Sequence, residues 1–191
     1  MARSTPPVLL DEVLALSLPS QPSPELSPEG VVLALCRGLQ HNDVPNVDSG
    51  LMRLFGFCTY ECKAALTSRK GYKDETGKNF TKHAELWTLK GCQGFRLAGE
   101  STIIPGTPTR GALAVIAVDV DEGIGFRFAS GFERTDRSDG TEEEPLLKTE
   151  RYRFTLTQQR RPPLVGCWLV TEVMPMREFM MFNGDTGAVQ G

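Results

Sequence analysis

The residues able to do chemistry in this chain are few. His83 stands two positions before Glu85, and a histidine next to a carboxylate is a general acid–base pairing. On a helix, however, i and i+2 do not face each other, so an exposed or partly packed histidine is the plainer reading. His41 falls at the expected end of a helix, where a cation or a donor suits the dipole. Two carboxylates lie in strand-like stretches. Glu172 reads as sharing a face with Trp168 and Val170, and Asp119 as sharing one with Leu113, Val115 and Ala117. In an apolar pocket either would be a general base with a raised pKa, with Arg153 as its electrostatic partner. Either can as readily sit in water at a strand end. No complete catalytic set assembles, and no catalytic residue is assigned.

Cys58, Cys62, His83 and Cys92 have the chemistry of a zinc site. Their spacing contains no tight Cys-x-x-Cys knuckle, and Cys58 and Cys62, four apart, fall on one side of an expected helix rather than on a turn. The chain holds five cysteines, an odd number, several at apolar-periodic positions. They read as buried free thiols of a reducing compartment, with no metal and no cofactor. Phosphate-binding glycine loops, His-Glu-x-x-His and Gly-x-Ser-x-Gly do not occur.

The elements that must position these groups are organised around Glu150–Met174. Tyr152, Phe154 and Leu156 alternate with Arg151, Arg153, Thr155 and Thr157, and Leu164–Met174 returns after a basic, proline-containing turn. Burying Tyr152, Phe154 and Trp168 contributes roughly 2 kcal/mol or more each before ordering entropy. Pro175 should end the last strand.

Ahead of this hairpin the period is helical. Ser27 is a good N-cap, Pro28 suits the first helical position, and Val31, Val32, Leu35, Cys36 and Leu39 form one buried face ending near His41–Asn42. After the turn 42–50, a second helix is expected over about Gly50–Thr67, capped by Asp48 or Ser49. Residues 68–78 read as a loop, and 79–90 as a short helix or irregular turn burying Phe80, Ala84 and Trp87. Phe95–Ile104 reads as a strand with Gly99 as a bulge, and Gly111–Glu122 as a central strand covered on both faces in its first half. Phe126–Phe132 is expected to return as a strand. The acidic stretch 134–150 is expected as a long solvated hairpin loop or a disordered insertion.

Residues 1–26 read as a flexible segment and Pro/Ser linker, 27–175 as one domain, and 176–191 as a tail. The tail carries Phe179, Met180, Met181 and Phe182. Four consecutive apolar residues belong either on an open sheet edge or in a partner. With 191 residues, 40% hydrophobic and 24% charged, the composition is that of a globular domain. The net charge of −3 argues against a nucleic-acid surface, and no apolar run reaches the ~20 residues that span a bilayer. The cytoplasm or another reducing compartment is expected, or a plastid if a transit peptide has been removed.

The fold class expected is α+β: N-terminal helices packed on a strongly curved antiparallel sheet, a cone-shaped α+β barrel. The segments Val31–Leu39, Leu51–Leu66, Phe95–Gly99, Arg151–Leu156 and Gly166–Val173 carry a resemblance to the nuclear-transport-factor-2-like superfamily, which includes ketosteroid isomerase, limonene epoxide hydrolase and SnoaL-like polyketide cyclases. The resemblance covers about residues 27–175. It implies a cone with a pocket at its wide end, and that cone hosts both binders and enzymes. A pocket of this kind would be walled by Phe55, Trp87, Phe128, Tyr152, Phe154 and Trp168, with Glu172 at its lining, and would hold an apolar small molecule. The first expectation is a non-catalytic, dimeric interaction or assembly module that uses Phe179–Phe182 as a contact. The alternatives are that small-molecule binder, or an isomerase, cyclase or hydrolase.

Overall fold

The computed structural model describes residues 13–70, 73, 76–84, 86, 88–121 and 149–176. Four helices, α1 (Pro28–Gln40), α2 (Ser49–Phe57), α3 (Tyr60–Leu66) and α4 (Lys78–His83), precede five strands among these residues. The strands are β1 (Gly94–Leu97), β2 (Thr102–Ile104), β3 (Leu113–Asp121), β4 (Thr149–Gln158) and β5 (Trp168–Pro175). Residues 13–16 are also helical.

Helix α1 starts where its cap chemistry requires. Ser27 Oγ accepts from Gly30 N at 3.0 Å, Pro28 occupies the first turn, and Glu29 complements the dipole. The α1–α2 turn is held by Asn42. Its backbone carbonyl accepts from Gly50 N, and its Oδ1 accepts from Leu51 N at 3.1 Å, so two otherwise orphaned amides of α2 are satisfied. Asp48 is the cap residue by position, but it sits at φ 61° and makes no side-chain cap bond. Its carboxylate accepts from Asn42 and from Lys90 instead.

The single helix expected over Gly50–Thr67 is two. Cys58 turns extended, at φ −85° and ψ 142°, and forms an isolated parallel bridge with Val170 of β5. Thr59 N donates to the Val170 carbonyl at 2.8 Å, and Thr59 Oγ1 then accepts from Cys62 N to open α3. Pairing with the sheet thus replaces helix continuation at one residue. The stretch 79–90, expected as a short helix or irregular turn, is helical to His83, with Leu89 fully buried in the irregular chain beyond it.

All strand pairings are antiparallel, in the order β1-β3-β4-β5 with β2 beside β1 against β3. The described sheet is open, with β1/β2 and β5 at its edges; the closed barrel form of the expected cone is not present among the described residues. The strand expected over Phe95–Ile104 is interrupted. Leu97 pairs with Val118 and Thr102 with Val115, so five steps on one strand face three on the other. Gly99, at φ 84°, takes the left-handed turn of this excursion. Two extra residues are an even number, so β2 keeps the facing of β1.

β3 is central, as expected, but it alternates rather than being covered on both faces. Ala114, Ile116, Val118 and Val120 are buried inward, while Leu113, Val115 and Ala117 are half-buried outward. The inward face, with Tyr152, Phe154 and Leu156 of β4 and Trp168, Val170 and Val173 of β5, packs on Val31, Leu35, Leu39, Leu54 and Phe57 of the helices as one core. The residues read as a linker lie along this body. Arg53 Nε donates to the Pro19 carbonyl at 3.1 Å, and Leu26 packs on the core. Phe126–Phe132 and most of the acidic stretch lie outside the described residues.

Candidate functional site

The outward face of the sheet gathers most of the charged candidates. Asp119 on β3 lies opposite Arg96 on one side and Arg151 on the other. Arg151 grips it with two bonds, Nε to Oδ1 at 2.6 Å and Nη2 to Oδ2 at 3.1 Å, and Arg96 adds Nη2 to Oδ2 at 3.2 Å. Asp121 accepts from Thr149 Oγ1 at 2.8 Å and lies 4.0 Å from Arg96. Further along, Arg153 Nη2 donates to Glu172 Oε2 at 3.0 Å and to Met174 Sδ at 3.5 Å.

This corrects the facing of Glu172. Period-two counting puts Glu172 with Trp168 and Val170, but a β-bulge intervenes. Thr155 pairs with Glu172 and Leu156 with Val170, so Thr171 is an extra residue and the alternation slips by one. Glu172 therefore points outward with Arg153, and Val173 takes the inward place beside Phe154.

The electrostatics of Asp119 run opposite to a raised pKa. The hydrogen bonds from Arg151, the largest cause, hold its carboxyl below the usual range; burial, the next largest, opposes them, and the charges of Arg151 and Arg96 add to the lowering. A folded-state pKa below the unfolded value gives stability that is present above the unfolded pKa of about 3.9 and lost as pH falls through the folded one. Thermal midpoints of the wild type and Asp119→Asn should therefore differ most at neutral pH. That gap should shrink below about pH 4, where the wild-type carboxylate protonates. A gap that stays constant from neutral to acid pH would contradict the ion pairing.

The expected pocket walls are distributed differently. Phe154 is fully buried, and Tyr152 and Trp168 are buried with it in the common core. The Tyr152 hydroxyl donates to Glu150 Oε2 at 2.9 Å, and Thr88 Oγ1 donates to the same oxygen at 2.7 Å. Phe55 is half-buried, its ring 5.3 Å from that of Phe80 and under the Lys63 ammonium at 3.8 Å. Trp87, Phe128, Glu85 and Phe179–Phe182 lie outside the described residues. An open cleft of about 370 Å³ does occur between α3 and β5, walled by Cys62, Ala65, Leu66, Glu172, Val173 and Met174. Of the residues expected around a ligand, Glu172 is in that wall.

His83 ends α4, half-buried. Cys58 and Cys62 are in contact, sulfur to sulfur at 3.3 Å, both buried. No group of three or more potential metal ligands occurs among the described residues. No described helix is long and apolar enough to cross a membrane. Arg96 and Arg151 were not singled out by the sequence reading. Their alternation in strand was visible, but their meeting at Asp119 depends on the register across β1, β3 and β4.

Comparison with known proteins finds no matching family model, no matching curated protein and no matching solved structure.

Proposed function

We propose that the protein is a non-catalytic assembly domain that pairs with a second copy of itself through the outward face of its sheet. One observation carries this. The outward apolar residues Leu113, Val115, Ala117 and Leu169 take no part in the core that joins sheet and helices. Leu113, Val115 and Ala117 are half-buried and Leu169 is buried, with Ile104 and Met174, both exposed, at the margins of the strip. A second apolar surface across this strip would complete the burial that the helices supply on the other side.

The charges around the strip favour a like partner. Arg96, Arg151 and Arg153 are balanced by Asp119, Asp121 and Glu172, and the arginine side chains remain 41–62% exposed. Each copy thus offers both signs, so two copies can meet with opposite charges opposed, although the whole chain carries −3. The α+β architecture with helices on one sheet face is compatible with the nuclear-transport-factor-2-like resemblance. The five free buried thiols fit a reducing compartment.

An apolar ligand enclosed by the aromatic residues is less well supported, because Tyr152, Phe154 and Trp168 are occupied in core packing. An acid–base enzyme is less well supported because Asp119 and Glu172 are each committed to arginines.

Light scattering on the eluting wild type should give twice the chain mass of 21.0 kDa. Val115→Glu places a carboxylate in the middle of the strip. The expected cost is about 3 kcal/mol or more, over a hundredfold in Kd, with an unchanged circular dichroism spectrum. A wild type that stays monomeric at high micromolar concentration, or a Val115→Glu variant that pairs as well as the wild type, overturns the proposal.

A further inference from the structure

The geometry points to Cys58 and Cys62 as an oxidisable dithiol that closes to a disulfide at the junction of helices and sheet. The two sulfurs meet because of how the chain is built there. Cys58 leaves α2 in extended conformation, held by its bridge to Val170. Thr59 caps α3 by accepting from Cys62 N, which brings the first turn of α3 back over Cys58. The Cys62 thiol donates to Cys58 Sγ at 3.3 Å, so the two sulfurs already touch and have to close to ~2.05 Å to bond. None of the other cysteines, Cys36, Cys92 and Cys167, has a sulfur at hydrogen-bond distance.

The cleft between α3 and β5 provides the approach. Cys62 lies in its wall, fully buried, and Cys58, 4% exposed, touches it sulfur to sulfur. Hydrogen peroxide is the oxidant considered. The Cys62 sulfur attacks one peroxide oxygen, becomes a sulfenic acid and releases the first water. The Cys58 sulfur then attacks the Cys62 sulfur, and the displaced hydroxide leaves with the Cys58 proton as the second water. Two electrons and two protons leave the pair, and one peroxide becomes two waters. Burial first, and then the hydrogen bond from Cys62, push the Cys58 thiol well above its ordinary pKa, with Lys63 acting in the opposite direction. At rest Cys58 is therefore a protonated thiol, and closure should be slower than for a pair with an exposed thiolate. The product would tie the residue that bridges Val170 to the first turn of α3, stiffening one wall of the cleft.

The full chain supplies the test. After graded peroxide, an alkylating quench and trypsin, the peptide 54–63 between Arg53 and Lys63 contains both sulfurs. It should appear unalkylated and lighter by two hydrogens, while the other three of the five cysteines remain alkylated. Dithiothreitol should restore both alkylation sites. In Cys58→Ser, dimedone should trap sulfenic acid on Cys62, because the resolving sulfur is gone. The inference is overturned if both cysteines of the peptide stay alkylated at peroxide doses that already oxidise methionine. It is equally overturned if either one pairs with Cys36, Cys92 or Cys167, or if dithiothreitol fails to reverse the change. The wild-type measurement decides the matter even where the variant folds poorly.

Discussion

Phe154→Ala is expected to destabilise the protein by about 3–5 kcal/mol, a large part of the 5–15 kcal/mol available to a typical domain. Phe154 is fully buried and sits mid-sheet, paired with Ile116 of β3 on one side and Val173 of β5 on the other. Both neighbouring strands are anchored, so the site cannot collapse around a smaller side chain. The loss therefore includes the cavity as well as the lost transfer of the ring from water. The thermal midpoint should drop by roughly 6–20 °C, taking ~2–4 °C per kcal/mol for a chain of this size. Phe55→Ala should cost distinctly less, because that ring is half-buried and leans on Phe80 and Lys63. The comparison separates two views of the inward aromatics. A ligand wall would lose binding with little loss of stability, and a packed core loses stability outright. A Phe154→Ala protein that melts within a degree or two of the wild type would remove Phe154 from the core.

The parts of this molecule that were legible in its sequence are those set by local chemistry. Ser27-Pro28-Glu29 announces α1, and the alternation of Tyr152, Phe154 and Leu156 announces the buried face of β4; both are in the structure. The α+β class followed from the change of period near Phe95. What failed to show was set by partners distant in sequence. Helix α2 ends at Phe57 because Cys58 pairs with Val170, more than a hundred residues on, although Thr59 followed by Glu61 was a readable restart signal. The bulge at Thr171 has no turn residue to mark it, and it alone decides which way Glu172 faces. One slipped residue moved the best pocket carboxylate to the outside of the sheet and onto Arg153. Site residues read from alternation are only as secure as the uninterrupted run of strand that carries them. The Arg96–Asp119–Arg151 cluster needed two registers at once, and neither is written in the local pattern.

Gly50→Ala should destabilise the protein although it improves helix propensity. Added at Gly50, a Cβ would lie 2.2 Å from the Gly38 carbonyl oxygen, 2.8 Å from its carbon and 3.0 Å from Asn42 Cα. All three contacts are backbone, so no side chain can swing aside; α1 and α2 must move apart. That movement strains the bonds from Gly50 N and Leu51 N to Asn42, and it loosens the packing of Leu35 and Leu39 against Leu51 and Leu54. The expected cost is about 2–4 kcal/mol, overpacking plus weakened hydrogen bonds to a buried asparagine. Gly56→Ala, in the same helix, is the control. Its nearest contacts would be the Ser20 carbonyl at 3.6 Å and the Gln21 side chain at 3.9 Å, both of ordinary length. There propensity should win, with a gain of up to ~1 kcal/mol. Denaturant melts of the two variants should thus shift in opposite directions from the wild type. If Gly50→Ala is as stable as Gly56→Ala, the two helices do not cross as closely as their backbones indicate.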